Sequence, residues 1–259
     1  MSLPFLHPSE LLPSGFTLSR CTPADTPGMT SVCKYLYILF TFMKAFPQNS
    51  AFTYWWAPSL PVMHAWQSSR IAGRFQDRST QQFKVVDENV NPPAVVAFAK
   101  WDPPTAGMKG LREGFVVYDG REEGRGGKKQ TTQLLAPPEG ADEELYTEFF
   151  TGLKRMGEKW RAHEKLALSI ICTDPAYHGR GIGAALISSV LALADAEGLT
   201  TYLEALPLAV PLYRRLGFVQ VDTLEYDLAR AGMEGTSVLT IMLREPKGEK
   251  EEKEAATVV

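Results

Sequence analysis

Three glycines stand at alternate positions, Gly179, Gly181 and Gly183, directly before an alanine-rich amphipathic segment. Glycine has no Cβ, so a loop of this kind lets an anion approach the backbone amides closely. The start of a helix also offers about four unpaired N–H groups and about half a positive charge. Phosphate groups bind readily at such positions. The spacing therefore predicts a pyrophosphate-binding loop between a strand that ends before Asp174 and a helix that is under way at Ala184.

Two other interpretations of the loop follow from the residues. Gly179, Gly181 and Ala184 satisfy a loose form of the dinucleotide-binding glycine pattern, in which Glu204 would bind a ribose hydroxyl. However, the residues from 175 to 178 separate the predicted strand from the first glycine, and the strands predicted after Glu204 do not supply further βαβ units. The remaining alternative is a tight turn without a ligand, for which one or two glycines would suffice.

The elements around the loop predict an α/β protein. Apolar runs predict strands that begin at 16 and that lie within 81–88, 93–101, 165–173, 200–206, 218–228 and 237–243. Helical spacing and capping signals predict helices that begin after Thr22 or Thr26 and that cover 142–163, 184–197 and 211–216. The short Asn-Pro-Pro connection after the second strand predicts an antiparallel hairpin.

Three segments fall outside this pattern. The apolar run at 35–43 lies between two lysines and is shorter than the about 20 residues of a membrane span, which favours a buried helix. The segment 47–70 is rich in proline and aromatic residues, and we expect it to cover the core rather than to line a pocket. Residues 102–141 contain paired prolines and glycines and predict a loop insertion, either disordered or closing over the site as a lid.

Composition narrows the classes of partner and compartment. The formal charge of −3 over 259 residues gives no basic surface for nucleic acid or an anionic membrane, so we expect neither partner. The three cysteines have no metal-site spacing, and their odd number fits a reducing compartment. We expect no metal. Because the first twenty residues lack a secretory pattern, we expect a cytoplasmic protein.

The loop and a second motif together resemble a known family. The sequence ICTDPAYHGRGIGAAL, followed further along the chain by PLYRRLGF, resembles the GNAT superfamily of acyl-CoA N-acyltransferases. In that superfamily the pyrophosphate loop runs Gln or Arg, two residues, Gly, one residue, then Gly or Ala. His178, Gly181 and Gly183 occupy those positions here. The resemblance is strong over 166–219, and 85–101 is similar to the hairpin that precedes the loop in the family.

The resemblance implies a mixed, mostly antiparallel central sheet with a splayed strand pair, flanked by helices. It also implies that acetyl-CoA lies between the parted strands, bound by backbone groups of the strand and by the loop. The implied coenzyme-binding residues are Ile171, Cys172, Thr173, His178, Gly179, Arg180, Gly181, Ile182, Gly183, Ala184 and Tyr213. His178 stands where the family has Gln or Arg, so the resemblance implies the backbone cradle here but not the family's side-chain contact with the phosphates.

Two residues are candidates for proton transfer. Tyr213 stands where the family places a tyrosine beside the coenzyme sulfur, and a phenol with a pKa of about 10 can protonate the departing thiolate. Glu204 is the candidate that binds or deprotonates the acceptor amine, directly or through water. A packing role for Tyr213 and a solvent-exposed position for Glu204 are the alternatives. A cysteine nucleophile at Cys172 is disfavoured, because a single strand thiol is usually a small buried hydrophobe.

We therefore expect an N-acetyltransferase that moves an acetyl group from acetyl-CoA to a small-molecule amine by direct attack. Residues 1–246 would form one domain with the insertion 102–141, residues 247–259 would be a disordered charged tail, and the protein would be a monomer or homodimer. Two alternatives stay open: an NAD(P)-binding oxidoreductase, and a non-catalytic module that binds acyl-CoA.

Overall fold

Seven strands form one sheet at the centre of the computed structural model, which describes residues 3–33, 55, 59–77, 81–108, 111 and 136–248. The strands are β1 (Phe16–Arg20), β2 (Gln81–Asp87), β3 (Ala94–Asp102), β4 (Leu166–Thr173), β5 (Thr201–Ala205), β6 (Val219–Asp227) and β7 (Thr236–Arg244). The predictions for the run at 35–43, for most of the insertion 102–141 and for the tail from 249 lie outside the described residues.

The sheet has the order β1-β2-β3-β4-β5-β7-β6, and β4–β5 is its one parallel pair. The hairpin predicted around the Asn-Pro-Pro connection is the antiparallel pair of β2 and β3. A parallel pair needs a crossover, and the helix that follows the glycine loop provides it. The expected α/β fold with a mixed, mostly antiparallel sheet is therefore confirmed.

Four α-helices have defined bounds, and a further helical segment covers 26–33. The four are α1 (Leu60–Arg74), α2 (Glu143–Lys159), α3 (Ile182–Ala196) and α4 (Val210–Arg215). Two of the starts have a local cause: the Asp142 side chain accepts a hydrogen bond from the Leu145 amide at α2, and Gly181 in the left-handed region precedes α3. None of the described helices is long and apolar enough to cross a bilayer.

The helices cover the two faces of the sheet. On one face, α3 and α4 pack a cluster that includes Leu186, Val190 and Phe218. On the other face, α1, α2 and the segment 26–33 pack a second cluster. Trp55 is at its centre, fully buried and ringed by aromatic side chains from α1 and α2. Trp55 therefore has the covering role expected for the aromatic segment.

One expected helix boundary is wrong, and one helix was not expected. The helix predicted over 142–163 ends at Lys159, because Arg161 adopts a left-handed φ of 50° and a 3-10 turn follows at Ala162–Glu164. The helix α1 begins within the segment 47–70, which was described only as rich in proline and aromatic residues and for which no helix was predicted. Its start carries the usual signals, since the Ser59 hydroxyl accepts from the Val62 amide and Pro61 lies in the first turn.

A bulge explains why β4 and β5 separate. β4 pairs with β3 at Leu168 and again at Ile170, which leaves Ser169 as an extra residue. A bulge of this kind bends its strand and increases the local twist. Pairing between β4 and β5 reaches only as far as Leu168 and Leu203. The last residues of β4 therefore diverge from β5, and the splayed strand pair is present.

Candidate active site

The splayed end of β4 carries backbone groups that face the gap. The Asp174 amide donates to the Val96 carbonyl at 2.9 Å, and hydrogen-bonded residues alternate along an antiparallel pair. Cys172 therefore directs its N–H and C=O towards β3, whereas Ile171 and Thr173 direct theirs towards β5. Of the three residues expected to contact the pantetheine arm, two present backbone groups to the gap and Cys172 does not.

The glycine loop joins this end of β4 to α3, and two of its glycines have a left-handed backbone. Gly179 has a φ of 76° and Gly181 a φ of 77°, angles that residues other than glycine adopt only with strain. A Cβ at either position would meet no heavy atom within 4 Å, so the space beside the loop is open. A Cβ on Gly183 would instead lie 3.7 Å from the Thr173 hydroxyl oxygen. The loop thus lies against the free end of β4.

The amides of Ile182, Gly183 and Ala184 lie in the first turn of α3, where helix geometry provides no intrahelical acceptor. The His178 amide, by contrast, donates to the Pro175 carbonyl at 3.1 Å and is engaged within the preceding 3-10 turn. An anion at this helix start would therefore be held by the first-turn amides and the loop glycines. The His178 amide was expected to bind the pyrophosphate, but in this conformation its hydrogen is already donated to Pro175.

The side chains of the loop make local contacts. The His178 ring nitrogen Nε2 lies 3.0 Å from the Thr173 carbonyl oxygen, and this bond requires the Nε2–H tautomer. The Arg180 guanidinium donates to the Ala176 carbonyl at 3.2 Å and lies 4.9 Å from the centre of the Tyr177 ring. Both side chains are exposed. Arg180 is thus available to a phosphate at the edge of the loop, whereas His178 closes the loop onto β4.

Tyr213, on α4, is 4% exposed and packs edge-on against Phe218 with 5.8 Å between ring centres. Burial is the main reason that the pKa of the Tyr213 phenol is raised, and the Cys172 thiol adds to the shift. The phenol therefore keeps its proton over the neutral range. This is the state that a general acid for a thiolate requires.

Glu204 lies on β5 beside the gap, half-buried, and accepts a hydrogen bond of 2.7 Å from the Tyr202 hydroxyl. Burial raises the pKa of the Glu204 carboxyl, and the Asp102 carboxylate raises it further, while the Tyr202 bond opposes the shift. A carboxyl group with a raised pKa is a better proton acceptor near neutral pH than an exposed one. Glu204 and Tyr213 lie on opposite faces of the sheet, as judged by the clusters of their neighbours Tyr202 and Phe218.

Residues 148–220 match the family description Acetyltransferase (GNAT) domain. Over this stretch the chain is similar to a GNAT acetyltransferase domain. The matched stretch includes β4, the glycine loop, α3, β5 and α4. The domain is that of an acyltransferase enzyme, and the match covers both proton-transfer candidates. No curated protein sequence matches the chain.

Solved structures with a similar fold are also acetyltransferases. A protein described as histone acetyltransferase HPA2 and related acetyltransferase, from Corynebacterium glutamicum, shares 20% identity with a TM-score of 0.50, covering 90% of this chain and 97% of that chain. A GCN5-related N-acetyltransferase from Kribbella flavida has 16% identity, a TM-score of 0.46, and coverage of 90% and 99%. The ribosomal-protein-S18-alanine N-acetyltransferase from Escherichia coli has 17% identity, a TM-score of 0.43, and coverage of 90% and 97%.

Two thiols meet on the face of the sheet opposite α3. The Cys33 and Cys172 sulfur atoms are 3.5 Å apart, and both are buried free cysteines. The hydrogen bond between the two thiols lowers the pKa of Cys33, against the opposing effect of burial and with help from the Gln67 amide and two arginines. The same bond and burial raise the pKa of Cys172 well above its ordinary value. Cys172 therefore stays a thiol, in keeping with its expected role as a small buried residue.

Sequence reasoning missed the polar face that α1 turns towards these thiols. The Gln67 amide lies 3.7 Å from the Cys33 sulfur, and Arg70 and Arg74 follow at helical spacing on the same face. On β3, Asp102 accepts from Lys100 at 2.5 Å and from the Ser169 hydroxyl. The available signal was Ser59 with Pro61 as a helix start, followed by Met63, Gln67, Arg70 and Arg74 at positions of one helical face.

Proposed function

We propose that the protein is an acetyl-CoA-dependent N-acetyltransferase that acts on a small-molecule amine. The observation that carries the proposal is the gap between β4 and β5, with an open glycine loop and helix start at its mouth. The backbone groups of β4 lie along the gap, and the unpaired amides of the first turn of α3 lie at its end. This arrangement suits an extended donor that has amide groups and a pyrophosphate. The GNAT domain match over the same residues supports this donor.

Each residue has a proposed role towards the donor. The first-turn amides of α3 and the glycines of the loop would bind the pyrophosphate, with Arg180 beside it. The free backbone groups of Ile171 would pair with the pantetheine amides. The Thr173 N–H would polarise the thioester oxygen, because it faces the gap rather than β3.

The chemistry would be direct transfer in a ternary complex. The acceptor ammonium must lose a proton to gain a lone pair, and Glu204, with its raised pKa, would accept that proton directly or through water. The neutral amine would attack the thioester carbon, and the C–S bond would break as the tetrahedral intermediate collapses. Tyr213 would then protonate the departing thiolate, and the extra proton on the attacking nitrogen would pass through water to restore the Tyr213 phenol. Alignment of the reactants can supply about 7 to 11 kcal/mol of the barrier.

The topology of the described sheet argues against the dinucleotide alternative. β5 is followed in the sheet by the antiparallel strands β7 and β6, so the described strands contain a single parallel pair rather than successive βαβ units. Cys21, Cys33 and Cys172 do not form disulfides in the described structure, and we propose the cytoplasm on the basis of that thiol chemistry. We also propose that residues 1–246 form a single domain.

Calorimetric titration of the full chain with acetyl-CoA, and with NAD and NADP in parallel, tests the donor. We expect binding of acetyl-CoA alone, followed by acetylation of amines with release of one free thiol per transfer. Preference for NAD or NADP, or no binding of acetyl-CoA, would refute the proposal. Binding of acetyl-CoA without transfer to any amine would favour the non-catalytic module.

A further inference from the structure

The last residue of α1, Arg74, has an unusual environment. Its guanidinium nitrogens Nη1 and Nη2 are buried, and neither finds a hydrogen-bond partner within the part of the chain that the structure describes. Removing a cation from water without a compensating partner costs several kcal/mol. A guanidinium cannot lower this cost by losing its proton at neutral pH. A buried Arg74 with two unpaired nitrogens is therefore suited to an anionic ligand.

Four groups, each on a different element of the fold, act electrostatically on the guanidinium. Burial lowers the pKa of Arg74 to about 10, and Arg70 on the same helix acts in the same direction, while Cys33, Cys172 and Asp102 oppose the shift. At that pKa Arg74 remains a cation at neutral pH. Arg70 already contacts aromatic faces, with its guanidinium carbon 4.6 Å from the Trp66 ring centre.

Arg74 lies near the part of the sheet where β4 leaves β5. Cys172, on the diverging end of β4, and Asp102, on β3, are both close enough to act on the Arg74 guanidinium. Asp102 also acts on Glu204, so Arg74 and Glu204 have one neighbour in common. Arg74 also lies on the Glu204 face of the sheet, since Cys33, Cys172 and Tyr202 belong to one cluster there.

We propose that Arg74 binds a carboxylate of the acceptor, so that the substrate is an amine that also carries a carboxylate. This inference rests on the proposed acetyltransferase function and specifies the substrate class. The planar guanidinium matches a carboxylate through two parallel N–H bonds, and Nη1 and Nη2 are both unpaired. The bound carboxylate would hold the amine at a fixed distance from the thioester.

Other anions fit less well. A dianionic phosphate would bring excess negative charge close to Asp102, whereas a single carboxylate balances the single guanidinium. The Cys33 sulfur is an internal candidate, but it already interacts with the Cys172 thiol at 3.5 Å and the Gln67 amide at 3.7 Å. No hydrogen bond from Arg74 reaches that sulfur among the described contacts.

Matched pairs of acceptors test the inference on the full chain. Each pair consists of an amino acid and the amine left when its carboxylate is removed: glycine with methylamine, β-alanine with ethylamine, γ-aminobutyrate with propylamine, and phenylalanine with phenethylamine. Binding is measured calorimetrically in the presence of coenzyme A, and kcat/KM is measured at saturating acetyl-CoA. The variants are Arg74→Gln, Arg74→Lys and, as a matched control, Arg155→Gln, whose arginine is exposed on α2.

The wild-type protein should prefer the carboxylate member of at least one pair. Arg74→Gln should reduce kcat/KM for that member about 10- to 100-fold, the loss of one charge-assisted interaction, and leave its partner amine unchanged. Arg74→Lys should keep part of the preference, and Arg155→Gln all of it. Without ligand, Arg74→Gln should unfold at the same or a higher denaturant concentration, because an unpaired buried charge is removed.

Several results would overturn the inference: equal losses for both members of a pair, a preference for the amines without a carboxylate, no binding of any member, or marked destabilisation of unliganded Arg74→Gln. The acetyl-CoA titration separates this failure from that of the proposed function. If acetyl-CoA binds and simple amines are acetylated while Arg74 has no effect, only the carboxylate site is wrong. If acetyl-CoA does not bind, the acetyltransferase proposal itself fails.

Discussion

Replacing Gly181 with alanine separates the chemical role of the glycine loop from its conformational role. Gly181 has a φ of 77° and open space where a Cβ would stand. Gly198, beyond the opposite end of α3, has a φ of 65° and equally open space. The two positions therefore impose the same backbone strain in similarly empty surroundings. The 15-residue helix α3, about 22 Å long, lies between them.

Both substitutions should lower the free energy of unfolding by about 1 to 2 kcal/mol, the cost of a left-handed conformation for a residue with a Cβ. Only Gly181→Ala places a methyl group where phosphate would approach the first-turn amides. Losing one charge-assisted hydrogen bond costs about 1.5 to 3 kcal/mol, which corresponds to an increase of about 10- to 150-fold in the Kd for acetyl-CoA.

Urea unfolding and calorimetric titration of both variants measure the two effects separately. We expect similar unfolding midpoints for the pair and weakened acetyl-CoA binding for Gly181→Ala alone. Gly181→Glu, which adds a negative charge at the same position, should abolish binding. Wild-type affinity in Gly181→Ala, or equal weakening in Gly198→Ala, would show that the loop does not approach the phosphates.

Three further predictions concern the catalytic pair and the core. Tyr213→Phe should lower kcat about 100-fold or more and leave the Kd for acetyl-CoA unchanged. The control Tyr226→Phe, which loses a hydroxyl that donates to the Phe149 carbonyl at 2.9 Å, should leave kcat unchanged. An unchanged rate across pH in Tyr213→Phe would refute the acid role. The folded-state pKa of Glu204 is raised, so the free energy of unfolding of the wild type should fall as pH rises from the ordinary glutamate pKa through the raised one. The transfer rate should rise over the same pH window. Glu204→Gln should remove both trends, as measured by urea unfolding and by the pH dependence of the rate. Gly152→Ala should lower the free energy of unfolding by about 1 to 3 kcal/mol, because its Cβ would lie 2.5 Å from the Tyr226 hydroxyl oxygen. Gly73→Ala, in open space, should raise it by about 0.5 to 1 kcal/mol. The same denaturant midpoint for both variants would contradict the packing argument.

The strands and the glycine loop were predictable because their signals are local. Apolar runs define β2 to β5. The alternate spacing of the glycines marks the loop, in which Gly179 and Gly181 adopt left-handed conformations. The helix α1 was equally local, with Ser59 and Pro61 at its start, but the surrounding prolines obscured it.

The features that depend on tertiary contacts were not predictable from the sequence. The bulge at Ser169 exists only in the pairing of β4 with β3. The burial of Arg74 and the approach of Cys33 to Cys172 join residues that are far apart in sequence. The engagement of the His178 amide depends on the 3-10 turn at Pro175–Tyr177, which the family motif does not specify.

The short pairing between β4 and β5 has a consequence for protein turnover. Three residue pairs connect the half of the sheet formed by β1 to β4 with the half formed by β5 to β7. With the proposed donor bound, its amides would bridge the two halves and supply hydrogen bonds that the strands lack. A ligand at 100 times its Kd adds about 2.7 kcal/mol to the free energy of unfolding. The amount of folded protein would then rise and fall with the acyl-CoA supply, so that abundance as well as rate would report the metabolic state.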